Sequence, residues 1–246
     1  MRNIKLLIEY DGTRYKGWQK QKENIDTIQS RIENVLSKIT GEEIQVIGCG
    51  RTDTGVHAQN YVANFHTDTT RTNEDIHKNL NQYLPEDITV KAVNDANERF
   101  HARYNAKAKT YVYTIDNGQF RDVFFRKFSS YVEEDLNVNV MKAAADILIG
   151  THDFQSFTTL KPGKKTTVRT INYIDINKDG NFIKIEVNGD GFLMNMVRII
   201  AGTLLEVGKG KLKPSDVASI LESRKRSEAG PMAEAKGLCL EEVEYK

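Results

Sequence analysis

The chain has little of several residue types that mark particular classes of protein. Its two cysteines, Cys49 and Cys239, have no metal-ligand spacing and favour a reducing compartment. Its five histidines are scattered, and none pairs with a carboxylate at zinc spacing. No apolar run approaches the roughly 20 residues that a membrane helix needs, and Met1–Ile4 enters a strand pattern where a signal peptide would need an apolar segment. We therefore expect a cytoplasmic protein with no metal and no membrane anchor.

The overall charge does not mark a nucleic-acid-binding protein. The 35 basic and 34 acidic residues leave a formal net charge of +1. Phosphate binding requires a local positive surface rather than a large total charge, and basic residues do cluster in this chain. The clusters are Lys16, Lys20 and Lys22; Arg99, Arg103, Lys107 and Lys109; Lys161, Lys164 and Lys165; and Arg224, Lys225 and Arg226. Some clustering is expected by chance, so these residues alone leave nucleic-acid binding open.

Hydrophobic periodicity in the first half predicts strands and helices in the order of a known unit. The predicted elements are the strand Ile4–Tyr10, the helix Ile28–Ile39, the strands Ile44–Ile47 and Tyr61–His66, the helix Thr72–Leu84 and the strand Ile88–Val93. We expect Asp26 and Gln29 to cap the first helix and Gly41 to end it. The order β-α-β-β-α-β is that of a ferredoxin-like unit.

The second half repeats this order with one added strand and one short extra helix. Its predicted elements are the strands Thr110–Ile115 and Lys127–Val132, the helix Val138–Ile149, the strands Arg169–Ile176 and Asn181–Val187, the helix Phe192–Val207, a short helix capped by Ser215, and the strand Leu238–Tyr245. We therefore predict an α+β protein of two ferredoxin-like halves, residues 1–105 and 106–246. Their antiparallel sheets are expected to join around a central cleft.

The stretch from Gly48 to Ala58 is the strongest candidate for chemistry, because glycines bracket Arg51 and Asp53 there. One interpretation is that Asp53 only caps a turn through nearby backbone amides. A second is the Asp-Thr-Gly loop of aspartic proteases, in which two carboxylates share one proton. No second Asp-Thr-Gly exists in the chain. If a homodimer supplied it, Arg51 would hold both carboxylates ionised.

A third interpretation is a family resemblance. Residues 50–58, Gly-Arg-Thr-Asp-x-Gly-Val-His-Ala, resemble the signature of the tRNA pseudouridine synthase A (TruA) family. Further stretches resemble other blocks of that family in the required order: Tyr10–Thr13 with Gly17–Gln19, Phe100–Arg103 with Lys109–Tyr113, Gly150–Phe157, and Gly191–Arg198. One departure is Pro231–Ala235, where the family more often has Thr-Ala-Pro-Ala. We expect Trp18, within the first block, to cover the core rather than to face RNA.

The resemblance implies an isomerase that converts uridine to pseudouridine at positions 38, 39 and 40 of the tRNA anticodon stem-loop, as a homodimer and without a cofactor. It implies that Asp53 is the catalytic carboxylate and Arg198 its partner, that Tyr111 stacks on the extruded uracil, and that Arg51 fills the space the base leaves. The alternative interpretations are that Arg198 is a surface arginine and that Tyr111 is a core residue. The alternative function is a non-catalytic RNA-binding module of the same fold.

Overall fold

The computed structural model describes residues 1–22, 25–161, 163 and 166–245. It divides the chain into two compact units: Met1–Lys107 with the segment from Leu240 onward, and Ala108–Cys239. This division lies two residues beyond the predicted boundary at 105. The segment from Leu240 onward, which we placed in the second half, groups with the first unit. The Glu241 carbonyl there accepts a hydrogen bond from Asn60 Nδ2 at 2.8 Å.

The first unit has the element order that the sequence predicts. It contains strand β1 (Arg2–Tyr10), helix α1 (Ile28–Thr40), strands β2 (Ile47–Gly48) and β3 (His57–Thr67), helix α2 (Asn73–Tyr83) and strand β4 (Ile88–Asp95). Strand β1 lies between β3 and β4 and pairs antiparallel with both, while β2 pairs with β3. Because alternate residues of a strand share one face, Ile4, Leu6 and Ile8 are all fully buried in the core.

The cap of α1 differs from the prediction by one residue. Thr27 is the N-cap, and its side chain accepts a hydrogen bond from the backbone N–H of Ser30. The predicted cap, Asp26, instead pairs with Arg31 at 2.6 Å. Gly41 ends the helix as predicted, at a φ of 75° that side-chain-bearing residues adopt less readily.

The second unit holds most of the remaining elements. They are strands β5 (Ala108–Asp116) and β6 (Ser130–Tyr131), helix α3 (Val138–Asp146), strands β7 (Gly150–Asp153), β8 (Val168–Asp179) and β9 (Phe182–Gly189), helices α4 (Met196–Gly208) and α5 (Pro214–Ser223), and strand β10 (Leu238–Glu244), which the unit boundary divides. Strands β5, β9, β8 and β7 lie side by side, with antiparallel neighbours.

Four details of the second unit correct the sequence prediction. The strand expected at Lys127–Val132 contains only two residues, and β7 was not predicted. The long apolar helix begins at Met196 rather than Phe192, because Asn195 has a left-handed φ of 62° that interrupts the helix. Pro214 occupies the first turn of α5 with Lys213 as the N-cap, so Ser215 lies inside the helix.

Candidate active site

Asp53 lies in the loop between β2 and β3 and is half-buried between two buried neighbours, Thr52 and Val56. The loop turns sharply at this point, since the backbone N–H of Val56 donates to the Asp53 carbonyl at 3.1 Å. Gly55 has a φ of 79°, which suits glycine. The Asp53 side chain therefore projects from a hydrogen-bonded turn whose backbone is partly buried.

Two glycines in the segment between β1 and α1 allow that segment to pack closely against the backbone on both sides of Asp53. A Cβ atom added at Gly17 would lie 2.6 Å from the Thr52 carbonyl oxygen, and one added at Gly12 would lie 2.0 Å from the Val56 carbonyl oxygen. Both distances are shorter than real contacts. Only glycine therefore fits at positions 12 and 17, because the backbone on either side of Asp53 lies so close to them.

An aromatic cluster of Trp18 and Tyr61 packs against the same loop. Trp18 stacks on Tyr61 with ring centroids 3.9 Å apart, and the Tyr61 hydroxyl donates to the Gly50 carbonyl. The Trp18 backbone N–H donates to the Thr52 carbonyl at 3.2 Å. Trp18 is only 2% exposed, which confirms the prediction that it belongs to the core.

Arg51 is exposed and lies two residues before Asp53 on the same loop. Its Nε donates a hydrogen bond to Gln19 Oε1 at 3.3 Å. Gln19 follows Trp18, so the same segment that supports the loop backbone also contacts its arginine.

Tyr111 lies on β5, paired with Val187 of β9, and is half-buried. Its ring meets Phe192 edge-on, with centroids 5.3 Å apart. Tyr113 and Ile115 lie on the same strand face and are fully buried. Tyr113 and Ile115 therefore belong to the core, while Tyr111 is only half-buried.

Arg198 lies in the first turn of α4 and is half-buried rather than extended into water. Its Nε donates to the Ala233 carbonyl at 2.8 Å, and one Nη donates to Asn195 Oδ1 at 3.4 Å. Asn195 is held in turn by Thr159, whose Oγ1 accepts from Asn195 Nδ2 at 2.7 Å. These contacts fix the plane of the guanidinium group.

Tyr113 is a neighbour of this arginine that the sequence did not indicate as a site residue. The Tyr113 hydroxyl donates to the Glu234 carbonyl at 3.0 Å, next to the Ala233 carbonyl that Arg198 binds. Burial raises the pKa of Tyr113 to about 12, and the charge of Arg198 acts in the opposite direction. The only signal for this segment in the sequence was the family departure at Pro231–Ala235, which carries both acceptors.

The four predicted site residues divide evenly between the units. Arg51 and Asp53 belong to the first, and Tyr111 and Arg198 to the second. The pairing of Asp53 with Arg198 therefore stays a prediction.

The predicted basic clusters have different surroundings. Lys20 pairs with the buried Glu33 at 3.0 Å, and Arg224 pairs with Asp153 at 3.2 Å. Lys164 and Lys165 lie outside the described residues. Exposed cationic side chains of the clusters include Lys16, Lys22, Arg99, Arg103, Lys107, Lys161 and Lys225.

Comparison with known proteins gives a family match over most of the chain. A family model described as tRNA pseudouridine synthase matches residues 6–105 and 144–246. The chain is 59% identical to tRNA pseudouridine synthase A 1 of Clostridium tetani, over 100% of both chains. It is 50% identical to tRNA pseudouridine synthase A 2 of Bacillus cereus and 47% identical to tRNA pseudouridine synthase A of Acetivibrio thermocellus, again over 100% of both. The chain belongs to the tRNA pseudouridine synthase family.

Family membership decides between the activities that the sequence left open. A pseudouridine synthase is an isomerase, so the protease and the non-catalytic RNA-binding module are set aside. The matched segments include Arg51, Asp53 and Arg198, whereas Tyr111 lies between them. The Tyr111 assignment therefore rests on the resemblance of Lys109–Tyr113, a stretch that lies within the full-length matches to the relatives.

Neither a membrane span nor a metal cluster is found in the described part of the chain. No helix there is long and apolar enough to cross a bilayer. Within residues 1–22, 25–161, 163 and 166–245, no group of three or more His, Cys, Asp or Glu residues could hold a metal ion.

Proposed function

We propose that this chain isomerises uridine to pseudouridine in tRNA with Asp53 as the catalytic carboxylate. The observation that carries the proposal is the position of Asp53, half-buried in a turn whose two flanking carbonyls are packed against Gly12 and Gly17. A carboxylate held by a rigid backbone keeps its orientation while the substrate changes shape.

The reaction requires no redox change. The N1–C1′ bond of uridine breaks, the uracil turns, and a new bond joins C5 to C1′; N1 gains a proton and C5 loses one. A single ionised carboxylate can serve as nucleophile or can stabilise positive charge on the sugar. Asp53 supplies this carboxylate, and the chemistry needs no cofactor.

Three further residues complete the proposed site. Arg198 is the counter-ion that keeps Asp53 ionised; its guanidinium plane is already fixed by Ala233 and Asn195. Tyr111 stacks on the uracil once the base leaves the helical stack, and its half-buried position on β5 supports that role. Arg51, exposed on the Asp53 loop, occupies the space that the base vacates.

The test is an incubation of the protein with unmodified tRNA, followed by chemical mapping of pseudouridine. We expect Asp53→Asn to abolish single-turnover conversion and to keep the tRNA affinity within about a few-fold, since asparagine preserves the size but not the charge. Asp135→Asn, at an exposed carboxylate of the second unit, is the matched control. Conversion by Asp53→Asn at even about a tenth of the wild-type rate would exclude Asp53 as the catalytic group.

The same proposal extends to the substrate positions and the compartment. We propose uridines 38, 39 and 40 of the anticodon stem-loop as the targets and the cytoplasm as the location, as the family resemblance implies. Mapping pseudouridine nucleotide by nucleotide tests the positions directly, because conversion elsewhere in the tRNA would contradict them.

We further propose a homodimer, which a surface of the second unit supports. Large apolar side chains with exposed fractions from 44% to 88% lie close together in one loop: Phe120, Val123, Phe124, Phe125 and Phe128. Exposed apolar patches of this kind mark interaction surfaces. Sedimentation equilibrium of the wild type and of Phe124→Asp tests the proposal, and the variant should shift towards the monomer.

We also propose that each unit is a ferredoxin-like fold. In the first unit, β1 pairs with β3 and β4, β2 pairs with β3, α1 follows β1 and α2 follows β3; this arrangement supports the description.

A further inference from the structure

A buried carboxylate on α1 begins a chain of hydrogen bonds in the first unit. Glu33 is only 3% exposed, and each contact is with a donor. Its Oε1 accepts from Gln29 Nε2 at 2.9 Å and from the Val46 backbone N–H at 3.0 Å, while its Oε2 pairs with Lys20 Nζ at 3.0 Å. Because a carboxylate only accepts hydrogen bonds, each group that contacts Glu33 must present a donor to it.

Gln29 has one possible amide orientation as a result. Its Nε2 donates to Glu33 Oε1 and, at 3.0 Å, to the Val46 carbonyl. Its Oε1 accepts from the Lys20 backbone N–H at 2.8 Å and from Gln19 Nε2 at 2.7 Å. Turning the amide over would place oxygen against two acceptors and nitrogen against a backbone donor, so the buried network excludes that orientation.

The orientation of Gln29 sets that of Gln19, and Gln19 contacts Arg51. Because Gln19 Nε2 donates to Gln29 Oε1, Gln19 Oε1 is the atom left to face the loop. It accepts from Arg51 Nε at 3.3 Å. A reversed Gln19 would present an N–H to a guanidinium that has only donors.

We propose that Gln29 and Gln19 are positioning residues that hold Arg51 for its contact with tRNA, through a hydrogen-bond polarity set by Glu33. This inference rests on the role proposed for Arg51. An exposed arginine samples many rotamers, and an oriented acceptor restricts that sampling before the substrate arrives. The backbone supports the same arrangement, since the Gln29 N–H donates to the Trp18 carbonyl at 3.0 Å.

The experiment compares Gln19→Met, Gln29→Met, Arg51→Met and the double variant Gln19→Met with Arg51→Met. Methionine keeps the length of glutamine and removes both the donor and the acceptor. We expect Gln19→Met and Gln29→Met each to lower the single-turnover rate constant about five- to tenfold, and Arg51→Met to lower it at least as much. The double variant should match Arg51→Met alone, because Gln19 acts only through Arg51.

A readout independent of activity is the NMR resonance of the Arg51 Nε–H group. It should shift in Gln19→Met and in Gln29→Met. It should not shift in Gln21→Met, the matched control, whose side chain is exposed and donates to the Lys16 carbonyl at 3.0 Å instead. If Gln29→Met does not fold, Gln19→Met alone carries the test, since Gln19 lies on a loop and is half-buried.

The outcomes separate this inference from the role of Arg51 itself. A slow Arg51→Met variant with wild-type rates in Gln19→Met, or with losses that multiply in the double variant, overturns the positioning role and leaves the Arg51 role intact. Wild-type kinetics in Arg51→Met overturn both.

Discussion

Arg198 and Ala233 hold each other through two hydrogen bonds. The Ala233 backbone N–H donates to the Arg198 carbonyl at 3.1 Å, and Arg198 Nε donates to the Ala233 carbonyl at 2.8 Å. The first bond ties the segment at Ala233 to helix α4, and the second fixes the direction of the arginine side chain. The segment Pro231–Ala235 therefore sets where the charge of Arg198 lies.

This geometry predicts that Arg198 does not tolerate lysine. A planar, permanently charged fork can hold Ala233 and a carboxylate together, whereas lysine is a mobile point charge. We expect Arg198→Lys to lower the single-turnover rate at least about tenfold, or about 1.4 kcal/mol in the barrier, and Arg198→Met to lower it further. If Arg198 is the counter-ion of Asp53, as proposed, its loss disfavours the ionised carboxylate, so the acid limb of the pH–rate profile should move to higher pH.

Arg31→Lys is the matched control for that experiment, because Arg31 pairs with Asp26 on the surface of α1. It should leave the rate and the pH profile unchanged. Near-wild-type kinetics in Arg198→Met would leave Asp53 without its proposed counter-ion.

Tyr111→Phe and Tyr111→Ala should differ. Base stacking contributes about 1–3 kcal/mol and needs only the ring. Phenylalanine should therefore keep the tRNA affinity, and alanine should lower it about five- to 150-fold. Filter binding and single-turnover assays measure both, with Tyr83→Ala as a control at an exposed tyrosine of α2. Equal behaviour of the two Tyr111 variants would place Tyr111 in the core.

Affinity for tRNA should depend steeply on salt. Each phosphate contact contributes a slope of about −0.7 in single strands and about −0.9 in duplex. Arg99 and Arg103 are exposed members of one basic cluster, and Arg103→Gln should reduce the total slope by about one such contact. Lys211→Gln is the control, because the ammonium group of Lys211 pairs with Glu206. A flat salt titration of the wild type would falsify phosphate binding by these clusters.

The stability of the protein should fall in alkali partly through Tyr113. Burial raises its pKa in the folded state to about 12, above the ordinary tyrosine value of 10.0. The folded state therefore keeps its proton while the unfolded state loses it, and the free energy of unfolding decreases as pH rises from about 10 towards about 12. Tyr113 alone accounts for about 1.4 kcal/mol of that loss at pH about 11.

Urea unfolding near pH 7 and near pH 11 measures this effect. Tyr113→Phe should be less stable near pH 7 by about 1 kcal/mol, because the Glu234 carbonyl loses its donor. The further loss near pH 11 should be smaller in the variant than in the wild type. Burial also raises the pKa of Tyr15 and Tyr245, so the variant should retain part of the alkaline decrease. An identical decrease in both proteins would contradict the assignment to Tyr113.

Local patterns in the sequence were enough to predict most elements and the candidate loop. The alternation along β1 and the apolar stripe of α1 each determine which face is buried, whatever the neighbours are. The glycines around Asp53 likewise predict a sharp turn, because the backbone freedom of glycine is a property of the residue itself. The family resemblance depends on the same stretch, and the family match confirms it.

Tertiary structure decided what surrounds the proposed site residues. Arg198 and Ala233 are 35 residues apart, and Gln19 and Arg51 are 32 apart. No periodicity encodes such pairs, because a hydrogen bond depends on where two distant backbones come to lie. For the same reason, the sequence left open whether Arg198 is a surface arginine or the partner of Asp53. The Ala233 carbonyl that holds its side chain in the structure is a backbone atom, which every residue carries.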